Sequence, residues 1–529
     1  MDPRLKPQRL NRDVLLHTMI FLEQDHDLKT LFSLMRTCRI LYNGGAKHVL
    51  SLPVKVGGKL VHMQGFTAFV RRNLKTRTNY VRSLALAGPC LREWGRLCCI
   101  GHVNNICDHH SNILIPFLEV LAQCRRLAHL ELCRSEEWLE LDPRAWRFTF
   151  IPLRPLSHLM LGGSGPRTSE LIKIFNGQMD TLTLSFTPND FVRSETLERS
   201  DCDPRPLVYD VKKLEELHVK WPQFCHSYDF LVCEHLRTLS IEYEYDIDIQ
   251  KLRNSFVSIR NLIYYPSSRA WKKENLLQQL WGSRQQNFER QEEHAEPLAL
   301  DYYRGDLLGL YALCPRGRIA HLDTRMSTEI SSQRGFGFLQ SAILDANPSR
   351  VTFQYTLDSS YTWLAVIFPA ESSLEITHFD LTVSVGRERS AMESVESKIC
   401  QGVGMAPSLS VFRLCFDWDP IGKEYPCRAG DSRKKTIKDT KSYFEQLDPH
   451  ALASRILLEH ERHYSAKLQF IALDLPYHND TLCWKMVRDG VARRKVQPMT
   501  KEEGQAMLDR ELPEFESRLD ATGLWKNVG

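Results

Sequence analysis

From about residue 80 onward the chain returns repeatedly to one short spacing: an apolar residue, two variable positions, a second apolar residue, one variable position and a third. It occurs as Val81-Leu84-Leu86, Leu127-Leu130-Leu132, Leu156-Leu159-Leu161, Met179-Leu182-Leu184, Leu214-Leu217-Val219, Leu236-Leu239-Ile241 and Ile259-Leu262-Tyr264. It recurs as Ile376-Phe379-Leu381, Leu409-Phe412-Leu414 and Leu468-Ile471-Leu473, with weaker copies starting at Ile319 and Pro348. From Leu127 to Ile259 the copies start 29, 23, 35, 22 and 23 residues apart. The last two apolar positions of each copy share one face of a short strand, because side chains alternate every residue. A strand with one buried stripe needs neighbours, so successive copies stack on a common core and a return segment closes each turn. Return helices are expected from Ile113 to Cys124, from Thr168 to Asn176 and from Trp271 to Glu293.

The N-terminal stretch, residues 10–42, has a different period. Val14, Leu15, Thr18, Met19 and Leu22 fall at helical spacings of three and four, with Asn11 as a candidate cap and Asp13 suited to the first turn. Leu28, Leu31, Phe32, Leu34 and Met35 form a second stripe after a short acidic break, and Cys38, Leu41 and Tyr42 continue it. So short a stretch cannot bury both stripes alone; it needs the rest of the chain or a partner's groove.

Residues 10–42 resemble an F-box, the three-helix module that docks a substrate receptor onto a Skp-type adaptor in a cullin-based ubiquitin ligase. Leu10, Val14, Leu15 and Leu22 match its opening; Asp27-Leu28, Leu31, Leu34, Cys38, Arg39 and Tyr42 match its later part. Asn11 stands where the family has proline, and Thr18 where it has isoleucine. The copies beyond residue 80 are similar to leucine-rich repeats, in the irregular form that follows F-boxes in many fungal proteins, especially in mushroom-forming fungi. In that family the ninth position is asparagine or cysteine. Here it holds Pro89, Ser135, Ser164, Thr187, Pro222, Glu244, Ser267, Ser384, Asp417 and Pro476. Ser, Thr and Asp can bond local backbone, whereas proline cannot donate. The expected fold is α/β: a three-helix F-box followed by an irregular leucine-rich-repeat solenoid of strand plus return helix. A mixed α/β domain with unrelated strands is the competing fold.

The resemblance implies that Leu10, Val14, Leu15, Leu22, Leu28, Leu31, Leu34, Cys38, Leu41 and Tyr42 supply the adaptor contact or the small core behind it. It implies a non-catalytic substrate receptor, joined through the adaptor to a cullin scaffold and holding a protein client on its array. Client contacts are expected from outward strand positions: His129, Glu131, His158, Met160, Glu216, His218, Lys220, Ser240, Glu242, Asn261, Ile263, Tyr265, His378 and Asp380. The alternative is a repeat scaffold whose N-terminal hairpin is only a structural cap.

Charge and composition exclude several classes. With 69 basic and 65 acidic residues the balance is near neutral, which argues against a dedicated nucleic-acid binder. No stretch approaches 18 uncharged apolar residues, so no membrane span is expected. The start of the chain lacks the apolar core of a signal peptide. Fifteen cysteines without a repeated spacing read as buried free thiols in the cytoplasm or nucleus.

Catalytic and metal motifs are weak. Cys98, Cys99, His102, Cys107, His109 and His110 cluster without a structural-zinc spacing, which leaves a divergent enzyme open as a third class. His460-Glu461-Arg462-His463 is one residue short of the metalloprotease pair and reads as a solvated helix face. Asp417-Trp418-Asp419, Gly162-Gly163-Ser164-Gly165 and Gly57-Gly58-Lys59 match nothing of adequate length. No cofactor and no metal are expected.

Three further stretches are legible. From Thr238 to Ile249 alternation is complete, predicting one long strand with Ser240, Glu242, Glu244, Asp246 and Asp248 as an acidic face. The segment 417–441 has a loop composition, with Arg433, Lys434, Lys435 and Lys438 as a basic cluster. The expected organisation is an F-box over 1–50, a connecting segment over 51–80 and the array over 81–499, with insertions near 271–300 and 417–441. A C-terminal helical cap or tail over 500–529 completes it.

Overall fold

The computed structural model describes residues 12–24, 27–88, 108–142, 145–146, 149, 156–164, 166–175, 179–185, 214–220, 232–243, 248–266, 276–292, 298–325, 333–356, 375–385, 392–418, 431–463, 467–478, 480–489 and 493–512. Three helices open it: α1 (Arg12–Gln24), α2 (Leu28–Met35) and α3 (Arg39–Ser51). Asp27 starts α2 by accepting a hydrogen bond from the Thr30 backbone N–H at 3.1 Å.

Strands and helices then follow in mixed order. In order come β1 (Val54–Val56), α4 (Leu60–Arg71), α5 (Leu74–Arg77), β2 (Ser83–Leu86), α6 (Asp108–Ala122), β3 (His129–Leu132) and α7 (Ser135–Leu141). They are followed by β4 (His158–Gly162), α8 (Pro166–Phe175), β5 (Thr181–Ser185), β6 (Glu216–Lys220), β7 (Thr238–Tyr243) and α9 (Ile249–Ser255). Next come β8 (Asn261–Pro266), α10 (Leu276–Glu292), β9 (Leu300–Asp306), α11 (Leu307–Leu313), β10 (Ile319–Arg325), α12 (Gln333–Ala346) and β11 (Arg350–Thr356). The last are β12 (His378–Ser384), α13 (Met392–Gly404), β13 (Val411–Asp417), α14 (Asp431–Gln446), α15 (Pro449–His463), β14 (Phe470–Asp474), β15 (Leu482–Asp489), β16 (Arg493–Pro498) and α16 (Lys501–Glu511).

Two compact units divide the chain: residues 1–242 with 254–259, and residues 243–253 with 260–529. In the first, β1 to β7 pair in parallel and in chain order. The register aligns the repeat positions: Leu84, Leu130, Leu159, Leu182, Leu217 and Leu239 stand side by side, as do Leu86, Leu132, Leu161, Leu184, Val219 and Ile241. All twelve are buried. Each copy therefore contributes one rung to a continuous apolar core, as a stacked repeat requires.

In the second unit β8 to β14 pair in parallel, again in chain order. The parallel run then ends, because β15 and β16 add as an antiparallel hairpin. Core rungs here include Leu262, Tyr303, Leu322, Val351, Phe379, Phe412 and Ile471 in one row. The weaker copies at Ile319 and Pro348 are strands β10 and β11.

Among the described residues, three serines at ninth positions bond locally. Ser164 donates to the Leu161 carbonyl at 2.9 Å, Ser135 lies 3.1 Å from the Thr168 hydroxyl, and Ser384 donates to Asp417 at 3.3 Å. The expected return helices appear as α6, α8 and α10.

Several expectations are corrected. The segment 51–80 is no mere connector: Val54 to Val56 pair with Leu84 to Leu86, so the sheet begins before residue 80. Of the single long strand expected from Thr238 to Ile249, Thr238 to Tyr243 is strand, but Ile249 opens a helix. Asp248 instead accepts from the backbone N–H groups of Gln250 and Lys251 at 3.0 and 3.2 Å and starts α9. Glu244 and Asp246 lie outside the described residues. The 417–441 loop is helical from Asp431 onward, anchored past the window by buried Phe444, which packs edge-on to Phe416, and by Tyr443, whose hydroxyl donates to Glu396 at 2.7 Å. His460 is buried rather than solvated, with Nε2 3.1 Å from the Ala406 carbonyl. The cluster Cys98, Cys99, His102 and Cys107 lies outside the described residues, as do Leu10 and Asn11.

Candidate binding surfaces

The three N-terminal helices close on a core of Met19, Leu31, Met35, Leu41, Ala46 and Val49, with Leu15, Leu16, Leu22, Leu34, Tyr42 and Phe69 packed around it. Glu23 of α1 ties this core to α3: its carboxylate lies 2.5 Å from His48 Nδ1 and accepts from the Ser51 hydroxyl. Burial pushes Glu23 up, but the bonds from Ser51 and His48 outweigh it and hold the carboxyl below its usual range. Tyr42 meets Phe69 of α4 edge-on at 5.7 Å, and the Arg77 guanidinium lies over both rings.

Of the positions matching the F-box pattern, Leu15, Leu22, Leu31, Leu34, Leu41 and Tyr42 thus build this internal core. Val14 and Cys38 are exposed, and Leu28 lies on α2. Apart from Val14, the open apolar surface comes from residues outside the F-box match; Phe32, expected in the second helical stripe, is exposed. Val14, Ile20, Phe21, Phe32 and Ile40 are five of the thirteen exposed large apolar side chains among the described residues. Val14 and Phe21 are seven apart on α1, hence on one face. The signal was present in sequence as Ile20 and Phe21, apolar residues next to core positions of α1.

The second surface is the strand face opposite the core. In the first unit two rows cross it: Ser83, His129, His158, Thr181, Glu216 and Thr238, then Ala85, Glu131, Met160, Thr183, His218 and Ser240. His129 is exposed and stacks on His158, the rings 4.1 Å apart and 6° from parallel. Glu131, Met160 and Glu216 are half-buried. His218 and Ser240, expected to face a client, are buried together with Thr181, Thr183 and Thr238. The outward face is therefore covered at β5 to β7, and alternation within a strand does not by itself mean access to solvent. Lys220 and Glu242 sit on β6 and β7.

In the second unit the same face carries a charged ladder. One row runs Asn261, Tyr302, His321, Arg350 and His378; the next runs Ile263, Arg304, Asp323, Thr352, Asp380 and Arg413. Asp323 accepts from Tyr302 at 2.7 Å and lies 3.3 Å from Arg304. Arg413 binds Asp474 at 2.6 and 3.0 Å and lies 3.6 Å from Asp380. Burial pushes Asp380 up to about 6 against the pull of Arg413 and Arg350. Burial likewise pushes His321 down to about 3, so the ring is neutral where it meets the Thr352 hydroxyl at 2.9 Å. His378 contacts the Thr377 hydroxyl at 2.8 Å and Glu511 at 3.3 Å. Ile263 is buried, and Tyr265 lies on β8.

Asn261, Ile263, His378 and Asp380 are the members of these two rows that the repeat pattern pointed to. Tyr302, Arg304, His321, Asp323, Arg350, Arg413 and Asp474 escaped it. Most lie on β9 to β11, whose apolar rungs are the least regular: Gly305 occupies the last rung of β9.

The described cysteines, Cys38, Cys124, Cys133, Cys233, Cys314, Cys400, Cys415 and Cys483, are free thiols. Among the described residues no group of histidine, cysteine, aspartate and glutamate could hold a metal ion, and no helix is long and apolar enough to cross a membrane.

No protein-family model matches the chain, and no curated protein matches it. Among solved structures it is similar to the leucine-rich repeat-containing protein LegL7 from Legionella pneumophila, at 13% identity over 71% of this chain and 95% of that one. The TM-score is 0.31, so the likeness is loose and the repeat architecture rests on the strand register itself.

Proposed function

We propose that the chain is a non-catalytic recruiting subunit: α1 to α3 dock a Skp-type adaptor, and the strand faces hold a protein client for a cullin-based ubiquitin ligase. The observation that carries this reading is the apolar surface of Val14, Ile20, Phe21, Phe32 and Ile40 on helices whose own core is already filled. Scattered exposed apolar residues are ordinary, but five of the thirteen among the described residues fall on this one small module, which favours an interaction site. The F-box resemblance names the partner. Acceleration of ubiquitin transfer would come from proximity within the assembly. Free, largely buried thiols suit the cytoplasm or nucleus.

The test is co-purification with a Skp-type adaptor. Phe21→Asp combined with Phe32→Asp should abolish the complex and leave the melting transition within a few degrees of wild type. If the wild-type chain binds no adaptor, the reading fails. What then remains is a leucine-rich-repeat scaffold with α1 to α3 as its cap, a reading favoured by the packing of Tyr42 on Phe69.

A further inference from the structure

On the strand face of the second unit, the polar ladder gives way to an apolar floor. Val411 follows His378 in its row and Phe470 follows Val411; Ala472 follows Arg413 in the next, and Cys483 follows Ala472. These four form a cluster of their own with Leu508 and Leu512, and Met499 and Met507 pack at its margin. Helix α16 therefore lies on the face that carries the ladder.

The contact is narrow. Gly504, Leu508 and Leu512 are buried, Met507 and Glu511 half-buried, and every other position from Lys501 to Arg510 is exposed. The spacing of 504, 507, 508, 511 and 512 is a single stripe of a helix. Gly504 is required by closeness: a Cβ there would lie 2.9 Å from both Cβ and Sγ of Cys483. Glu511 reaches His378 at 3.3 Å, tying the helix to the first residue of β12. A capping box at Thr500 and Glu503 starts the helix, and Lys501 pairs with Asp480 at 2.6 Å. An eleven-residue helix is marginal by itself, and here two leucines supply its main anchorage.

We propose that α16 is a built-in occupant of a helix-docking groove, and that the groove's other ligand is an amphipathic client helix of the same pattern. That pattern is a small residue, apolar residues four and eight positions later, and a carboxylate at the seventh position to meet His378. Binding of such a helix displaces α16, as helix-in-groove recognition allows. The inference rests on the reading of the strand face as the client surface and is independent of adaptor docking.

The experiment uses the full chain and a fluorescent peptide of residues 500–512 as probe. Leu508→Asp lifts α16, which is read as at least tenfold faster alkylation at Cys483 by peptide mapping. That variant should bind the peptide at least tenfold more tightly than wild type, and a peptide carrying Leu508→Asp should not bind. Gly504→Ala, whose Cβ must push α16 away from Cys483, should likewise raise peptide binding above that of wild type. This comparison stands even if Leu508→Asp fails to fold. An accessible Cys483 without peptide binding, or equal binding by the Gly504→Ala and wild-type chains, overturns the proposal. Since no readout involves the adaptor, failure here is distinct from failure of adaptor assembly.

Discussion

The Glu136 carboxylate at the start of α7 accepts from the backbone N–H of Thr168 at 3.0 Å and from its hydroxyl at 2.9 Å, at the start of α8. It also accepts from the Arg167 N–H at 2.7 Å, so one repeat supplies the cap for the helix of the next. Pro166 at the first position needs no partner for a missing N–H. Removing the cap by Glu136→Ala should cost about 1 to 2 kcal/mol in urea unfolding. Glu136→Gln should cost less, because an amide oxygen still accepts but carries no charge to meet the helix dipole.

Neighbours on α2 separate packing from surface. Leu31 is fully buried and Phe32 is 43% exposed. Leu31→Ala should destabilise the N-terminal module by about 2 to 5 kcal/mol, whereas Phe32→Ala should change its stability by less than about 0.5 kcal/mol. Hydrogen exchange over residues 12–51 distinguishes the two; a large effect at Phe32 would mean that its side chain is not free for a partner.

Gly305 predicts a backbone effect. A Cβ at this position would sit 2.4 Å from the Tyr264 carbonyl oxygen and 2.8 Å from the Tyr303 hydroxyl. Gly305→Ala must therefore push two adjacent strands apart, at a cost of about 1 to 3 kcal/mol by overpacking. A denaturant midpoint equal to wild type would contradict the β8–β9 register.

Asp380 gives a pH signature. Its folded pKa of about 6 lies above the ordinary value of 3.8, so between those values the folded state holds more proton than the unfolded one. The contribution of Asp380 to stability thus rises as pH falls from 7 toward 4 and is lost as pH climbs through 6. Relative to Asp380→Asn, which does not titrate, wild type should gain about 1 kcal/mol between pH 7 and pH 5. Paired thermal melts at those two values read the difference; an opposite sign would mean that Arg413 and Arg350 dominate burial.

The repeat core was legible wherever three apolar residues marked a strand, as at Leu127-Leu130-Leu132 or Leu409-Phe412-Leu414. It was hidden at β9, where Gly305 fills the third rung and Tyr303 the second. The docked helix was hidden for another reason. Its floor is made of residues that alternation assigns to solvent, although the unbroken run Phe470-Ile471-Ala472-Leu473 carried the signal of a strand buried on both sides. At the N-terminus the pattern located the three helices but marked the residues inside them. Apolar spacing placed Leu31 and Phe32 in one stripe, and only Leu31 is buried, because adjacent residues on a helix lie about 100° apart and cannot both face the core.

The β15–β16 hairpin sets a limit on how such a chain can grow. Antiparallel pairing at β14 breaks the translation that carries each parallel rung onto the next. Among the described residues the outermost strand then presents Lys495 and Pro498, a cation and a residue unable to donate, which disfavour docking of another strand. Duplication of a repeat can therefore lengthen this protein only upstream of β14, and a strand grafted beyond β16 would find no template.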